Sequence, residues 1–202
     1  RITCGYKTPK YELGVHYGTD FTSSTASRDV YAPFKMKIVA IHNDPASTLG
    51  RTIVAVSVNK IDVHFGKAKG ERKLAIRMWH LDKILVKVGD VVGPENAKIA
   101  VYGNTGKYTS GAHLHIEFDT DYKNPTYTPS VIGATGCVKA GIRTPASKET
   151  TIRAMDVLKV DTKAERGFKQ TFAYEKDYAS YVPEDDRATF DLEGKVIKAK
   201  AI

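Results

Sequence analysis

Six histidines occur in the chain, and three of them fall in two short patterns whose spacing suits metal chemistry. His16-Tyr17-Gly18-Thr19-Asp20 has the form HxGxD, and Ala112-His113-Leu114-His115-Ile116-Glu117-Phe118 contains HxH. Residues i and i+2 of a strand share a face. His113, His115 and Glu117 therefore project to one side, while Leu114, Ile116 and Phe118 pack on a core. In the first pattern Gly18 permits a tight turn that brings the His16 imidazole and the Asp20 carboxylate to one point. A catalytic zinc ion takes three such donors at about 2 Å and keeps a fourth position for water. Each pattern alone is weak, since HxH is as often a pair of ordinary strand histidines. Their joint occurrence, in this order, favours a metal site.

A fourth histidine lies in Met78-Trp79-His80-Leu81. Strand alternation places Leu74, Ile76, Met78 and His80 on one face, with His80 as the polar group at the edge of a core. His42 precedes a turn and His64 lies in a charged stretch; neither has a partner pattern.

The elements that must carry these residues read as short strands. Thr52–Val58, Leu74–Leu81 and Leu114–Phe118 are β-rich runs. Turn residues separate them at Asn43-Asp44-Pro45, Gly66 to Gly70, Val88-Gly89-Asp90, Gly93-Pro94 and Gly103-Asn104-Thr105-Gly106. No amphipathic helix of three turns precedes residue 130, and no βαβ alternation is present, so the fold expected is mainly β with an antiparallel sheet core. The texture changes after Pro125 and Pro129. A boundary near residue 138 divides a motif-bearing domain, 1–138, from a charged C-terminal extension or small accessory module, 139–202. In the extension Phe168, Phe172, Tyr174, Tyr178 and Tyr181 suit a small core better than a sugar-stacking surface.

Composition bounds the function. The net charge is +8, and residues 1–138 hold 18 Lys+Arg against 12 Asp+Glu, so the basic surplus sits with the histidine motifs. Such a surface suits polyanionic partners, but no run of five basic residues and no basic–aromatic interleaving points to nucleic acid. No stretch approaches the roughly 20 apolar residues of a membrane span, so no membrane insertion is expected. The first residue is Arg1, which reads as a fragment or processed form. Cys4 and Cys137 are too few for a disulfide scaffold; they either pair or stand as two ordinary thiols, and neither has metal-ligand spacing.

At this point several blocks, in order, resemble the lysostaphin-type zinc metalloendopeptidases that hydrolyse peptidoglycan. Gly14-Val15-His16-Tyr17-Gly18-Thr19-Asp20-Phe21 matches the first metal motif. Val30-Tyr31-Ala32-Pro33 with Lys37-Ile38-Val39-Ala40, and Trp79-His80-Leu81 with Val86-Lys87-Val88-Gly89-Asp90-Val91-Val92, resemble the family's middle blocks. Tyr102-Gly103-Asn104-Thr105-Gly106-Lys107 and Ser110-Gly111-Ala112-His113-Leu114-His115-Ile116-Glu117-Phe118 resemble its closing block. The resemblance covers roughly residues 1 to 130 and implies a duplicated-hybrid-motif β fold. It implies that His16, Asp20 and His115 bind one Zn2+ per chain. It also implies that His80 and His113 are the catalytic pair off the metal. The three-residue gap between His16 and Asp20 resembles the endopeptidases rather than their carboxypeptidase relatives. With two histidines supplying acid–base capacity, Glu117 is read as orienting or structural.

The implied partner is a peptide stem or cross-bridge of bacterial peptidoglycan, met outside the cell, in the wall or periplasm, or by a phage virion. The rival expectation is a non-catalytic zinc-binding scaffold of a phage tail or cell-wall complex. Departures from the pattern are the long segment Ser23–Asp29, the charged insertion Asn59–Lys73, the longer link Gly93–Lys98, Trp79 in place of Ala and Ala112 in place of Pro. They leave the motif positions intact and change the loops that wall a substrate groove.

Overall fold

The computed structural model describes residues 2–7, 16–23, 25–95, 98–129 and 150–158, and the strand backbones at 188–190 and 196–199. Along the chain these form β1 (Ile2–Cys4), β2 (Thr19–Phe21), β3 (Asp29–Val30), β4 (Met36–His42), β5 (Arg51–Ser57), β6 (Ile61–Val63) and β7 (Gly70–Arg72). Then follow β8 (Ala75–Ile84), β9 (Val91–Val92), β10 (Ala100–Tyr102), β11 (Leu114–Asp119), β12 (Thr151–Ile152), β13 (Ala188–Phe190) and β14 (Val196–Ala199). The only helical turn among the described residues is 3₁₀, at Ala154–Asp156. The expected antiparallel β class is what the chain adopts. A ten-stranded sheet runs β1-β2-β11-β8-β5-β4-β9, with β10 pairing β3 and β8, and β12 pairing β11. β13 and β14 form a separate antiparallel pair.

The long strands β4, β5 and β8 are rich in Ile, Val, Ala and Met, residues that fit a pleated, half-buried surface. Their apolar faces meet Phe118 and Ile116 of β11 in one core with Met36, Ile38, Ile53, Leu74, Ile76 and Met78. Trp79 leaves this core and packs instead with Leu49 and Val54 on the other face of the sheet.

The charged insertion at 59–73 folds as the hairpin β6–β7, paired from Ile61↔Arg72 to Val63↔Gly70. Val63 anchors it in the core, and the His64 N–H donates to the Asp156 carbonyl at 2.7 Å. The hairpin is thus tied to residues 150–158, which lie beyond the boundary expected near 138. Those residues pair with β11, Phe118↔Ile152 and Asp119↔Thr151, and they bury Ala154 and Val157 in the core. The Tyr6 hydroxyl donates to the Thr151 carbonyl at 3.0 Å, which joins the first strands to this late segment. The aromatic cluster expected at Phe168 to Tyr181 lies outside the described residues.

Losing that segment removes buried apolar surface and the partners of Tyr6 and Asp119. A chain ending at Val138 is expected to be less stable than one ending at Leu158 by about 3 kcal/mol or more. Thermal denaturation of the two truncations checks this, and equal midpoints would contradict it.

Candidate metal and acid–base site

The register of three strands sets the site. β11 lies between β2 and β8, with His115 opposite Asp20 on one side and opposite Trp79 on the other. On the next strand out, Cys4 of β1 lies opposite Asp20. Directly opposed residues carry Cβ atoms about 4.5–5.5 Å apart on the same face. Trp79, His115, Asp20 and Cys4 consequently form a row across the sheet. His16 enters from the chain before β2. Its Nδ1–H donates to the Gly5 carbonyl at 2.7 Å, which turns Nε2 towards the row.

Three donor atoms converge there. His16 Nε2 lies 3.2 Å from Asp20 Oδ1 and 3.1 Å from His115 Nδ1, and His115 Nδ1 lies 2.8 Å from Asp20 Oδ1. A tetrahedral ion with bonds of about 2 Å separates its donors by roughly 3.3 Å. The triangle therefore fits a zinc-sized cation with only a slight expansion, and two imidazoles with a carboxylate are a suitable donor set. All three residues are buried, so the site is screened from bulk water. Gly18 is needed for space rather than for the turn expected from sequence. A Cβ there would stand 2.3 Å from His115 Nε2 and 2.8 Å from the Ile116 carbonyl.

The two other motif histidines stand beside this triangle. His113 follows the strand period and sends Nε2 to 3.6 Å from Asp20 Oδ2, while its Nδ1–H donates to the Gly111 carbonyl at 2.8 Å. His80 reaches the site by a different route from the one alternation predicts. Its φ is +60°, in the left-handed region that non-glycine residues seldom adopt. The register against β5 slips at the same place, between the pairs Arg51↔Leu81 and Ile53↔Met78. That irregularity takes His80 off the core face of Leu74, Ile76 and Met78 and puts its ring 4.8 Å, centre to centre, from that of His113. The His80 Nδ1–H donates to the Thr105 carbonyl at 2.9 Å, and the tight turn at Gly106, with φ +99° and no room for a Cβ beside Gly50, holds that carbonyl in place. All five motif residues thus meet in one place.

Electrostatics separates them. For His16, burial pulls the pKa down, but bonds to Asp20 and Cys4 outweigh it and raise it to about 10. His115 is likewise raised despite burial, by Asp20 and then Glu117. Burial pushes Asp20 up, yet the His115 and His16 bonds hold its carboxyl below the usual carboxylate range. His80 moves the other way: burial, then the charges of His115 and His113, lower it to about 3.

Several contributors are silent in the sequence patterns. The donor atoms of Cys4, His16 and Asp20 lie within 4.8 Å of one another, although Cys4 carries no spacing signal; Cys137 lies outside the described residues. Arg77 interrupts an apolar run, and it lies opposite Glu117. It forms ion pairs with Glu117 at 3.0 Å and with Asp119 at 2.7 Å. Glu117 is completely buried, which fits the structural reading of that residue rather than a solvent-facing base. His64 sits on the insertion with Asp62 at 3.3 Å, and His42 pairs with Thr52 at the end of β4.

The model of peptidase family M23 matches residues 14–126. The chain belongs to that family. Over 123 residues it is 34% identical to the peptidoglycan DD-endopeptidase ShyB of Vibrio cholerae, a match covering 58% of this chain and 24% of that protein. A zinc-containing peptidase from Vibrio cholerae is 30% identical with a TM-score of 0.44, over 58% of this chain and 32% of the other. The catalytic domain of lysostaphin from Staphylococcus simulans is 26% identical with a TM-score of 0.46, over 60% and 80%. The chain thus aligns with about a quarter of the ShyB sequence.

A metal must take neutral imidazoles, whereas His16 in the metal-free protein holds its proton up to about pH 10. Zinc titrated at neutral pH is therefore expected to release protons, and its affinity to rise with pH. A linked effect is expected in the metal-free protein. The raised His16 contributes stability that is complete below its ordinary value of 6.5 and lost as pH climbs towards about 10. Calorimetric zinc titrations in buffers of different ionisation enthalpy read the protons directly; heats independent of buffer would contradict this assignment.

Proposed function

We propose that this chain is a zinc-dependent endopeptidase acting on peptide stems or cross-bridges of bacterial peptidoglycan. In this reading His16, Asp20 and His115 hold one zinc ion, and His80 and His113 perform acid–base work beside it. The observation that carries the reading is the buried triangle of donors, 2.8–3.2 Å on its edges, with two further imidazoles at its margin.

Zinc so bound lowers the pKa of water and polarises a carbonyl. The chain's own residues supply the rest. His16 and Asp20 turn Nε2 and Oδ1 to a common point because Gly5 fixes one imidazole edge. His80 and His113 each commit Nδ1–H to a backbone carbonyl. That tautomer leaves Nε2 with its lone pair, ready to take a proton from an attacking water and return it to a leaving amine. Burial, with the neighbouring charges of His115 and His113, keeps His80 neutral at physiological pH. General acid–base catalysis of this kind contributes about 10²–10⁴-fold.

The substrate class rests on the family and on the relative named a peptidoglycan DD-endopeptidase. The basic surplus of residues 1–138 suits an anionic wall. A wall substrate places the action outside the cytoplasm, in the wall, the periplasm or at a virion tip. Mass spectrometry of fragments released from purified cell walls tests activity and bond together, and intact walls after prolonged incubation would count against it.

Substitution separates the roles. His115→Ala is expected to lose stoichiometric zinc, whereas His80→Ala and His113→Ala keep it and lose about 10²–10⁴-fold in turnover. Elemental analysis and peptide cleavage measure the two quantities. Full zinc occupancy in His115→Ala, or near-normal turnover in both other variants, would overturn the assignment.

A further inference from the structure

His115 is held differently from the other site histidines. Among the described residues no backbone carbonyl takes its ring proton. Its Nδ1 faces the donors, and Nε2, a buried atom without a hydrogen-bond partner among the described residues, faces Glu117 Oε1 at 3.6 Å. Two constraints fix the ring instead. The first is Trp79, directly across the β8–β11 ladder, whose indole stacks on the imidazole with centroids 4.2 Å apart and planes 9° from parallel. The second is Glu117, which Arg77 Nη1 holds through Oε2 at 3.0 Å. The Thr128 hydroxyl bridges both Glu117 oxygens, at 3.1 and 2.9 Å.

Each of the three Arg77 guanidinium nitrogens donates a hydrogen bond. Nη2 donates to Asp119 at 2.7 Å and Nε donates to the Pro125 carbonyl at 2.8 Å. Arg77, Glu117 and Thr128 have no solvent exposure, so this carboxylate has one available position. Trp79 carries its own sign of purpose. Its indole Nε1 is buried without a hydrogen-bond partner among the described residues, an arrangement that is costly for a polar group. What the position uses is therefore the face of the ring. Trp79 also stands where the family pattern has Ala, so the stack belongs to this chain's own version of the site.

We propose that Trp79 and the Arg77–Glu117–Thr128 network clamp His115, the indole setting the ring plane and the fixed carboxylate facing its Nε2 edge, so that Nδ1 is aimed at the metal. They are positioning residues, acting through His115. The inference rests on the zinc-binding reading above. Losing a partner that orients a metal ligand typically weakens metal binding by about 10–100-fold.

The test uses the full chain and zinc itself. Zinc dissociation constants of the parent, Trp79→Phe, Trp79→Leu and Thr128→Val are measured by chelator competition, well below the unfolding temperature. Thermal unfolding of the metal-free proteins is followed in parallel. Trp79→Phe keeps an aromatic face and sheds the unpartnered N–H, so its affinity should stay within about threefold of the parent, whereas Trp79→Leu should bind about 10–100-fold more weakly. Thr128→Val removes one hydroxyl with little change of shape and should weaken binding by several-fold. Affinities of Trp79→Leu and Thr128→Val equal to the parent's, with only their unfolding temperatures lowered, would reduce these residues to packing and overturn the clamp alone. A parent chain that takes up no zinc would overturn the metal reading and the clamp together.

Discussion

The site depends on the register of β11 between β2 and β8. A slip of one residue in a strand exchanges its two faces; here it would send His113, His115 and Glu117 into the core and bring Leu114, Ile116 and Phe118 out. Phe118 is fully buried and Ile116 nearly so, which opposes the slip from the apolar side. The polar side opposes it as well. Arg77 lies opposite Glu117 and beside Asp119, and any other register leaves a buried charge without its partner. Breaking such a pair costs far more than forming it gains. The ion-paired cluster thus acts less as a source of stability than as a device that fixes where His115 stands.

The same sheet face holds two buried charge clusters with different tasks. Around Arg77 the charged groups find partners within the protein, one guanidinium serving two carboxylates and two threonine hydroxyls closing the shell. Around Asp20 they are matched by protons: two imidazoles raised above their ordinary value face one carboxylate. A cation can replace those protons without a change in the sign of the local charge, and this is the electrostatic content of a metal site prepared before its metal. The two clusters meet at His115, whose Nδ1 belongs to one and whose Nε2 faces the other.

Much of this was legible in the chain, for identifiable reasons. HxGxD and HxH place donors through local geometry, and the alternation of Leu114, Ile116 and Phe118 with His113, His115 and Glu117 is a two-residue period that the fold keeps. The strand class followed from β-rich runs and turn residues. What alternation could not show was His80, because its left-handed φ breaks the period at the very residue of interest. The local pattern around Gly18 suggests only a turn, because the need for space arises from β11, remote in sequence. Cys4 and Trp79 acquire neighbours only through long-range pairing with Asp20 and His115, which no local pattern encodes. The packing of residues 150–158 against β11 is hidden for the same reason.

The strain at His80 and the orphaned edge of His115 have one explanation when the tautomers are compared. His16, His80 and His113 each place Nδ1–H on a backbone carbonyl, of Gly5, Thr105 and Gly111. Reaching such a carbonyl can require a bent backbone. For His80 this means a left-handed residue, an arrangement that costs of order 1–3 kcal/mol, held by bonds from its N–H to the Leu49 carbonyl and from the Gly103 N–H to its own carbonyl. His115 lies in the middle of a regular strand, where both neighbours' backbone groups are already used in the ladders to β2 and β8. Among the described residues no carbonyl takes its Nε2 proton, so side chains set its orientation, and the central position that gives the metal site its rigidity also calls on Trp79 and Glu117.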